Sequence, residues 1–351
     1  MTMSRTYINL VSIASVVIIL AAARAAQQIV VPFLLAVFIS IIAAAPAAWL
    51  RKKHVPAGVA IAIVIVMMIG LFLGTSLILA TSVESFSQTL PTYLESLKGL
   101  TEKLMQGLNN LGIDVPEEGF SNVFDPGAAM RLANSIISSL GQLLSHTFLI
   151  IITVIFMMLE SSVFSEKISL IRHNTATTLA NIAGFLDNTQ RYMAIKALTS
   201  LITGICISIS MALMGLDYAV LWGFLAFLLN FIPNIGSIIA AVPAVLLALL
   251  QLGAGSAIAV AAIFLAVNML IGNVIEPRVM GRGVGLSSLV VFLSLVFWGW
   301  LFGPVGMLLS VPLTMLVKFA TEVNEDTRWV AILLSSSTDE YVEQTDTNVQ
   351  S

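Results

Sequence analysis

Along the chain the apolar positions fall into long runs rather than alternations. They begin near residue 8 and recur to residue 320. Many approach the ~20 residues that a membrane-spanning helix needs, and none shows the alternation of a β-barrel strand. The pattern predicts spans at about 8–24, 28–49, 57–82, 143–160, 197–215 and 256–275. Between 83 and 145 it changes character: Glu84, Glu95, Glu102, Asp114, Glu117, Glu118 and Asp125 stand against Lys98, Lys103 and Arg131. There Leu90, Tyr93, Leu94, Leu97, Leu100, Leu104 and Leu108 recur at helical spacing. One or two amphipathic helices outside the membrane are expected, broken near VPEEG and DPG.

The stretch from Ala219 to Leu250 fits neither class. It is almost wholly apolar, yet NFIPNIGS interrupts it at Pro233 and Gly236. As one helix it would be about 45 Å long against a hydrocarbon core of about 30 Å. Two short arms folded back as a re-entrant hairpin fit better, with Pro233 and Gly236 at the tip, where a helix must stop. PNIGSIIAAVPA at 233–244 has a counterpart in GPVGMLLSVPLT at 303–314, and each follows an aromatic-rich apolar arm. The second hairpin is placed at 286–320.

Charge sets the orientation. RKKHVP at 51–56 is the densest basic cluster between spans, and basic residues in short loops stay cytoplasmic. Both termini then face the cytoplasm and the acidic 83–145 segment faces outward. Hairpin 219–250 enters from outside, and hairpin 286–320 enters from inside. Arg278 and Arg282 then lie in the cytoplasm, as basic residues prefer. Two long tilted spans in place of the hairpins would also leave the C-terminus cytoplasmic but would put Arg278 and Arg282 outside. Span 5 with its hairpin and span 6 with its hairpin become inverted copies, a recurring plan of secondary transporters. The expected organisation is 1–82 (three spans), 83–145 (extracytoplasmic helices), 146–195 (fourth span and a partly helical cytoplasmic linker), 196–320 (inverted-repeat core) and 321–351 (a largely disordered cytoplasmic tail). The fold class is thus an all-α polytopic membrane protein with about six spanning helices, two inverted re-entrant helical hairpins and a small extracytoplasmic helical segment.

Composition narrows the chemistry. The chain is 58% hydrophobic and 10% charged, with a mean hydropathy of +0.99; a soluble domain carries roughly a quarter charged residues. Cys206 stands alone in an apolar run as a packing residue, and His54, His146 and His173 lack metal-site spacing. No P-loop, nucleophile elbow or dinucleotide-binding glycine pattern is present. No cofactor, resident metal, nucleic-acid partner or enzymatic activity is therefore expected. The N-terminus has the layout of a secretory signal, but the apolar stretch Ile29–Trp49 follows at once, as in a retained hairpin of spans.

Asp217 is the only charged side chain between 197 and 275, and 283–317 has none. A proton relay or a charged-substrate site would place an ionisable group deep in a span, so a polar, uncharged solute fits better. Candidate contacts are Asn230, Pro233, Asn234, Gly236 and Ser237 at the first hairpin, Asn268 and Asn273 on span 6, and Pro304 and Gly306 at the second hairpin. Asparagine offers both donor and acceptor to a hydroxylated ligand. The same residues would equally cap broken helix ends. Glu276 and Arg278, flanking Pro277, are either an ion pair closing a helix end or a gate and cation-coupling carboxylate; Asp217 is the other coupling candidate. Trp298 and Trp300 read as interface anchors.

NFIPNIGSIIAAVPA followed by GNVIEPRVMGRGVGLSSLVVFLSLVFWGWLFGPVGMLLSVPLT resembles the autoinducer-2 exporter family of bacterial membrane transporters. IVVPFLLAVFI, GIDVPEEGFSNVFDPGAAM and FMMLE extend the resemblance over most of the chain. It implies an inner-membrane secondary transporter that exports this small hydroxylated signal without ATP. It also implies a homo-oligomer, a pentamer among the forms allowed, whose hairpin-bearing core moves as an elevator among membrane lipids. The family's motif falls on Pro233, Asn234, Gly236, Glu276, Pro277, Arg278, Pro304 and Gly306. Other members are sodium/proton antiporters, so antiport is the alternative, with Glu276 or Asp217 as the titrating residue. A non-transporting envelope scaffold docking through 83–145 is a third reading, but it leaves the hairpins unexplained.

Overall fold

In lipid no solvent bonds the backbone, so an apolar chain must satisfy its own N–H and C=O groups, and helices do this within one segment. A computed structural model of the protein describes residues 5–110, 147–160, 176–233, 235–280, 285–323 and 326–336. Among these residues the regular structure is helical, apart from one antiparallel bridge between Leu286 and Ser335. The helices are α1 (Arg5–Ala25), α2 (Gln27–Lys52), α3 (Ala57–Asn110), α4 (Thr147–Glu160) and α5 (Ala176–Leu213). They continue with α6 (Ala219–Leu229), α7 (Gly236–Leu252), α8 (Ala254–Met280), α9 (Ser288–Leu308), α10 (Ser310–Glu322) and α11 (Arg328–Leu334).

Five described helical segments are long and apolar enough to cross a membrane: α2, Ala57–Phe86 of α3, Gly184–Leu213 of α5, α8 and α9. Shorter apolar helices are Ala14–Ala25 of α1, α4, α6 and α7. Leu71, Leu77 and Leu213 are 67, 71 and 84% exposed, a burden of bare apolar surface that suits lipid and not water. The chain is a multi-pass, all-helical membrane protein. The spans expected at 28–49, 57–82, 197–215 and 256–275 fall on α2, α3, α5 and α8, and those at 8–24 and 143–160 fall on α1 and α4.

Two expectations need correction. Residues 83–110 form no separate helix: α3 runs through them unbroken for 54 residues, about 80 Å at 1.5 Å per residue, far longer than a bilayer core. The apolar stripe of the span and the amphipathic stripe beyond it share one helical period, so nothing in the pattern marks a boundary. VPEEG and DPG lie outside the described residues. The linker before span 5, expected to be partly helical, is helical from Ala176 and continuous with that span, while 161–175 lie outside the described residues. The part of the tail at 326–336, expected to be largely disordered with the rest of 321–351, carries α11, whose Ala331 is fully buried; residues 337–351 lie outside the described residues. Ser287 N–H donates to the Leu334 carbonyl at 3.1 Å and Ser336 N–H to the Gly285 carbonyl at 3.3 Å. The apolar run RWVAILL is short, but it has a partner surface.

The chain divides into two compact units. One comprises 67–145 and 198–278. Its core joins Leu79 and Phe86 of α3 to Ile207 and Met211 of α5, Leu221, Trp222 and Leu225 of α6, Ala244 and Leu247 of α7, and Val260 and Phe264 of α8. Phe86 meets Tyr218 and Trp222 edge-on at 5.6 and 5.7 Å, a geometry favoured by the ring quadrupoles. The other comprises 1–66, 146–197 and 279–351. There Phe185 stacks on Phe319 at 4.4 Å, and the Arg24 guanidinium lies 4.6 Å over the Trp300 ring.

The segment 219–252 is broken. α6 ends at Leu229 and α7 starts at Gly236, so the arms have 11 and 17 residues. Its two ends return to one place: the Gln251 side chain accepts from the Asp217 N–H at 3.0 Å and donates to the Gly215 carbonyl at 3.2 Å. The second segment is broken as well. α9 has the length of a span, but Gly303 leaves helical geometry at φ 67°, ψ −152°, and α10 packs back on α9. Its base is closed by Lys318, whose ammonium donates to the Gly285 carbonyl at 3.0 Å. Both base glycines have positive φ, 73° at Gly215 and 67° at Gly285. The same spacing separates Gly215 from Gly236 as Gly285 from Gly306.

Candidate functional site

Close helix packing builds the polar centre of the first broken segment. α5 and α6 meet at Gly204 and Gly223, where a methyl group on Gly204 would lie 2.7 Å from the Gly223 carbonyl oxygen. Small residues that let backbones approach are the usual device for joining helices in lipid. The contact carries the end of α6 to the polar face of α5, where Thr199, Ser200 and Thr203 are 2, 0 and 4% exposed. Asn230, the last residue before the break, is buried there, and its amide donates to the Ser200 hydroxyl at 2.9 Å. Thr203 donates to the Thr199 carbonyl at 2.9 Å.

Beyond Asn230 the backbone turns through Pro233. Ile235 N–H bonds the Pro233 carbonyl at 2.7 Å, and Gly236 N–H bonds the Ile232 carbonyl at 3.3 Å. Gly236 is obligatory, because a Cβ there would run into the Leu229 carbonyl. Ser237 is half-buried in the first turn of α7. Asn234 lies outside the described residues.

α8 approaches the same face of α5. Its middle, Met269–Ile275, is π-helix, and Glu276 N–H bonds the Ile271 carbonyl. Pro277 accounts for this widening: it has no N–H to return to the preceding turn, and its ring crowds that turn. Seven-residue π stretches are rare and concentrate at functional positions. Glu276, half-buried, is 3.4 Å from the Thr199 hydroxyl. The neighbouring Thr199 and Ser200 therefore touch two broken elements, Glu276 at the end of the π segment and Asn230 at the helix break. Asn268 is half-buried beside Gly272, while Asn273 and Arg278 are exposed.

Asp217 is elsewhere in the same unit, at the base rather than the tip. It is exposed, it accepts from the Tyr93 hydroxyl at 3.2 Å, and its carbonyl accepts from the Trp222 indole at 2.9 Å. Burial and the neighbouring Asp217 carboxylate push the Tyr93 phenol up to about 12. In the other unit Pro304 is exposed just past the Gly303 break. Gly306 is buried, and a Cβ there would strike the Trp298 carbonyl. The Trp298 indole donates to the Thr314 hydroxyl at 2.9 Å.

Asn230 and Glu276 thus share one polar face, whereas Asp217, Asn273 and Arg278 do not join it. Sequence reasoning missed Thr199, Ser200 and Thr203. Their signal was the i, i+1, i+4 spacing of hydroxyls in a charge-free span, which marks one helix face. It also missed Gln251 and Lys318, the long polar side chains placed near the returning end of each broken segment. Among the described residues no three His, Cys, Asp or Glu side chains gather as a metal site needs.

Sequence comparison places the chain among membrane transporters. Residues 13–325 match the family described as AI-2E family transporter. The chain is 38% identical over 325 residues to the AI-2 transport protein TqsA of Escherichia coli K12, covering 93% of this chain and 94% of that protein. A Haemophilus influenzae protein, provisionally named as a transport protein, is 39% identical over 342 residues, covering 94% of this chain and 97% of its own. A Bacillus subtilis relative, YrrI, with a name of the same kind, is 26% identical over 310 residues, 83% of this chain and 85% of its own. The chain belongs to the AI-2E transporter family.

Proposed function

We propose that the protein is a secondary transporter of the bacterial inner membrane that exports autoinducer-2, with both termini in the cytoplasm. In this reading the two broken segments are inverted re-entrant hairpins, and the hairpin-bearing part of the chain carries solute by an elevator-like movement. The observation that carries it is Asn230: a buried asparagine at a helix break inside an apolar segment, held by Ser200. The bond uses the amide N–H, and the amide oxygen has no hydrogen-bond donor among the described residues. A hydroxylated solute leaving water must recover its hydrogen bonds, and a positioned amide with neighbouring hydroxyls supplies them without a buried charge. The name of the Escherichia coli relative supports this choice of cargo.

Sodium/proton antiport is the second reading, favoured by one observation. Glu276 is a carboxylate set against the Thr199 hydroxyl at the end of a π segment, where protonation would change what holds that segment. One preparation separates the two. The purified protein in liposomes is followed for autoinducer-2 crossing the membrane and for lumenal pH after a sodium pulse. Signal flux that survives Glu276→Gln and fails in Asn230→Ala supports export. A sodium-dependent pH change lost in Glu276→Gln, with no signal flux, makes the protein an antiporter.

A further inference from the structure

The turn between α2 and α3 carries charge that finds no ion pair among the described residues. From residue 1 to residue 83 the chain contains Arg5, Arg24, Arg51, Lys52 and Lys53 and no carboxylate at all; Glu84 is the first. Three of these cations are consecutive at the end of α2, all exposed, with His54 beside them. Among the described residues the side chains of Arg51, Lys52 and His54 make no hydrogen bond or ion pair. The Lys53 ammonium lies 4.4 Å over the Trp49 ring.

One bland role, capping the helix end, is already filled. The last carbonyls of α2 are taken by the turn itself: Lys53 and Val55 N–H bond the Leu50 carbonyl at 3.0 and 3.3 Å, and His54 N–H bonds that of Arg51 at 3.0 Å. His54 at φ 67° fixes the reversal. Consecutive residues on a helix point about 100° apart, so Arg51, Lys52 and Lys53 fan around the end of α2 instead of facing one neighbour. The chain on either side of them bears exposed apolar side chains: Trp49 at the end of α2 and Val59 and Ile63 in the first turns of α3, at 55, 50 and 45%. Cations on the rim of a bare apolar surface, with an exposed tryptophan among them, stand where hydrocarbon meets headgroups.

We infer that Arg51, Lys52 and Lys53, with Trp49, form a docking site for the phosphodiester headgroups of anionic phospholipids. Guanidinium and ammonium groups are the side chains that recognise phosphate, and the missing anions must come from outside this segment. The lipid leaflet supplies them at high local concentration.

The test uses the full-length protein in nanodiscs of phosphatidylcholine with a minor fraction of phosphatidylglycerol, counting retained lipids by native mass spectrometry. Each cation at an anionic surface favours binding about fivefold, so the wild type should prefer phosphatidylglycerol on the order of a hundredfold. The preference should shrink in high salt. R51Q/K52Q/K53Q should fall to the bulk lipid ratio, whereas Arg24→Gln, in the last turn of α1 and away from this turn, should leave the preference intact. Retention at the bulk ratio by the wild type would overturn the inference whether or not the triple variant folds, and so would an equal loss in Arg24→Gln. Inorganic phosphate replacing chloride at equal ionic strength should displace nothing; displacement would make this a free-phosphate site and defeat the lipid assignment.

Discussion

Gly236 and Gly306 do the same work in the two broken segments. Each lets the returning backbone pass against a carbonyl of the preceding arm, Leu229 in one case and Trp298 in the other. Because the obstacle is backbone, it cannot swing aside as a side chain could. Gly236→Ala and Gly306→Ala should each cost about 1–3 kcal/mol, as overpacking does. Gly74→Ala, with open space around it, should be neutral or stabilising by about 0.5–1 kcal/mol; thermal midpoints in detergent distinguish them. Ser200 admits a sharper test. Ser200→Ala strands the buried Asn230 amide, for about 1–3 kcal/mol, and Ser200→Ala combined with Asn230→Leu should recover part of the loss in a double-mutant cycle. Pro233, Gly236, Pro304 and Gly306 were readable as break points because proline and glycine act on their own backbone. Ser200 was not, because its role depends on which helix crosses at Gly204, and no local pattern encodes a crossing.

At the scale of elements, each broken segment is closed at its base by one long side chain reaching a left-handed glycine, Gln251 to Gly215 and Lys318 to Gly285. Removing Gln251 as Gln251→Ala should raise hydrogen exchange at Asp217 N–H, which loses its acceptor, and cost about 1–2 kcal/mol for two partly exposed hydrogen bonds. Tyr93 ties the outer part of α3 to the same base. Its phenol titrates at about 12 when folded, against about 10 when unfolded. The raised value means that the folded state keeps the proton longer. The contact therefore contributes fully below about pH 10 and is lost as pH rises from about 10 to 12. Tyr93→Phe should lack that alkaline loss of stability, and the wild type should show a tyrosinate absorbance step near pH 12 that the variant lacks. Element boundaries were the part that sequence reading handled worst. α3 runs on past Phe86, where its long apolar segment ends, with no change of period, while α11 is too short to stand out until its docking surface is known.

At the scale of the molecule, a chain with so few charges and so much exposed apolar surface belongs in a bilayer, and composition alone established that. The repeat needed both levels. PNIGSIIAAVPA and GPVGMLLSVPLT share few identities, but the equal glycine spacing, the two breaks and the two base closures make them structural counterparts. The central claim is that both segments turn back instead of crossing. It is tested most directly by the sidedness of cysteine labelling in intact cells, on a Cys206→Ala background. Leu213→Cys and Leu252→Cys flank the first segment, and Val279→Cys and Val323→Cys flank the second; all four positions are exposed. The account predicts that Leu213→Cys and Leu252→Cys react with an impermeant thiol reagent from outside, and that Val279→Cys and Val323→Cys react only after the membrane is opened. Labelling of Leu213→Cys and Leu252→Cys from opposite sides would contradict it.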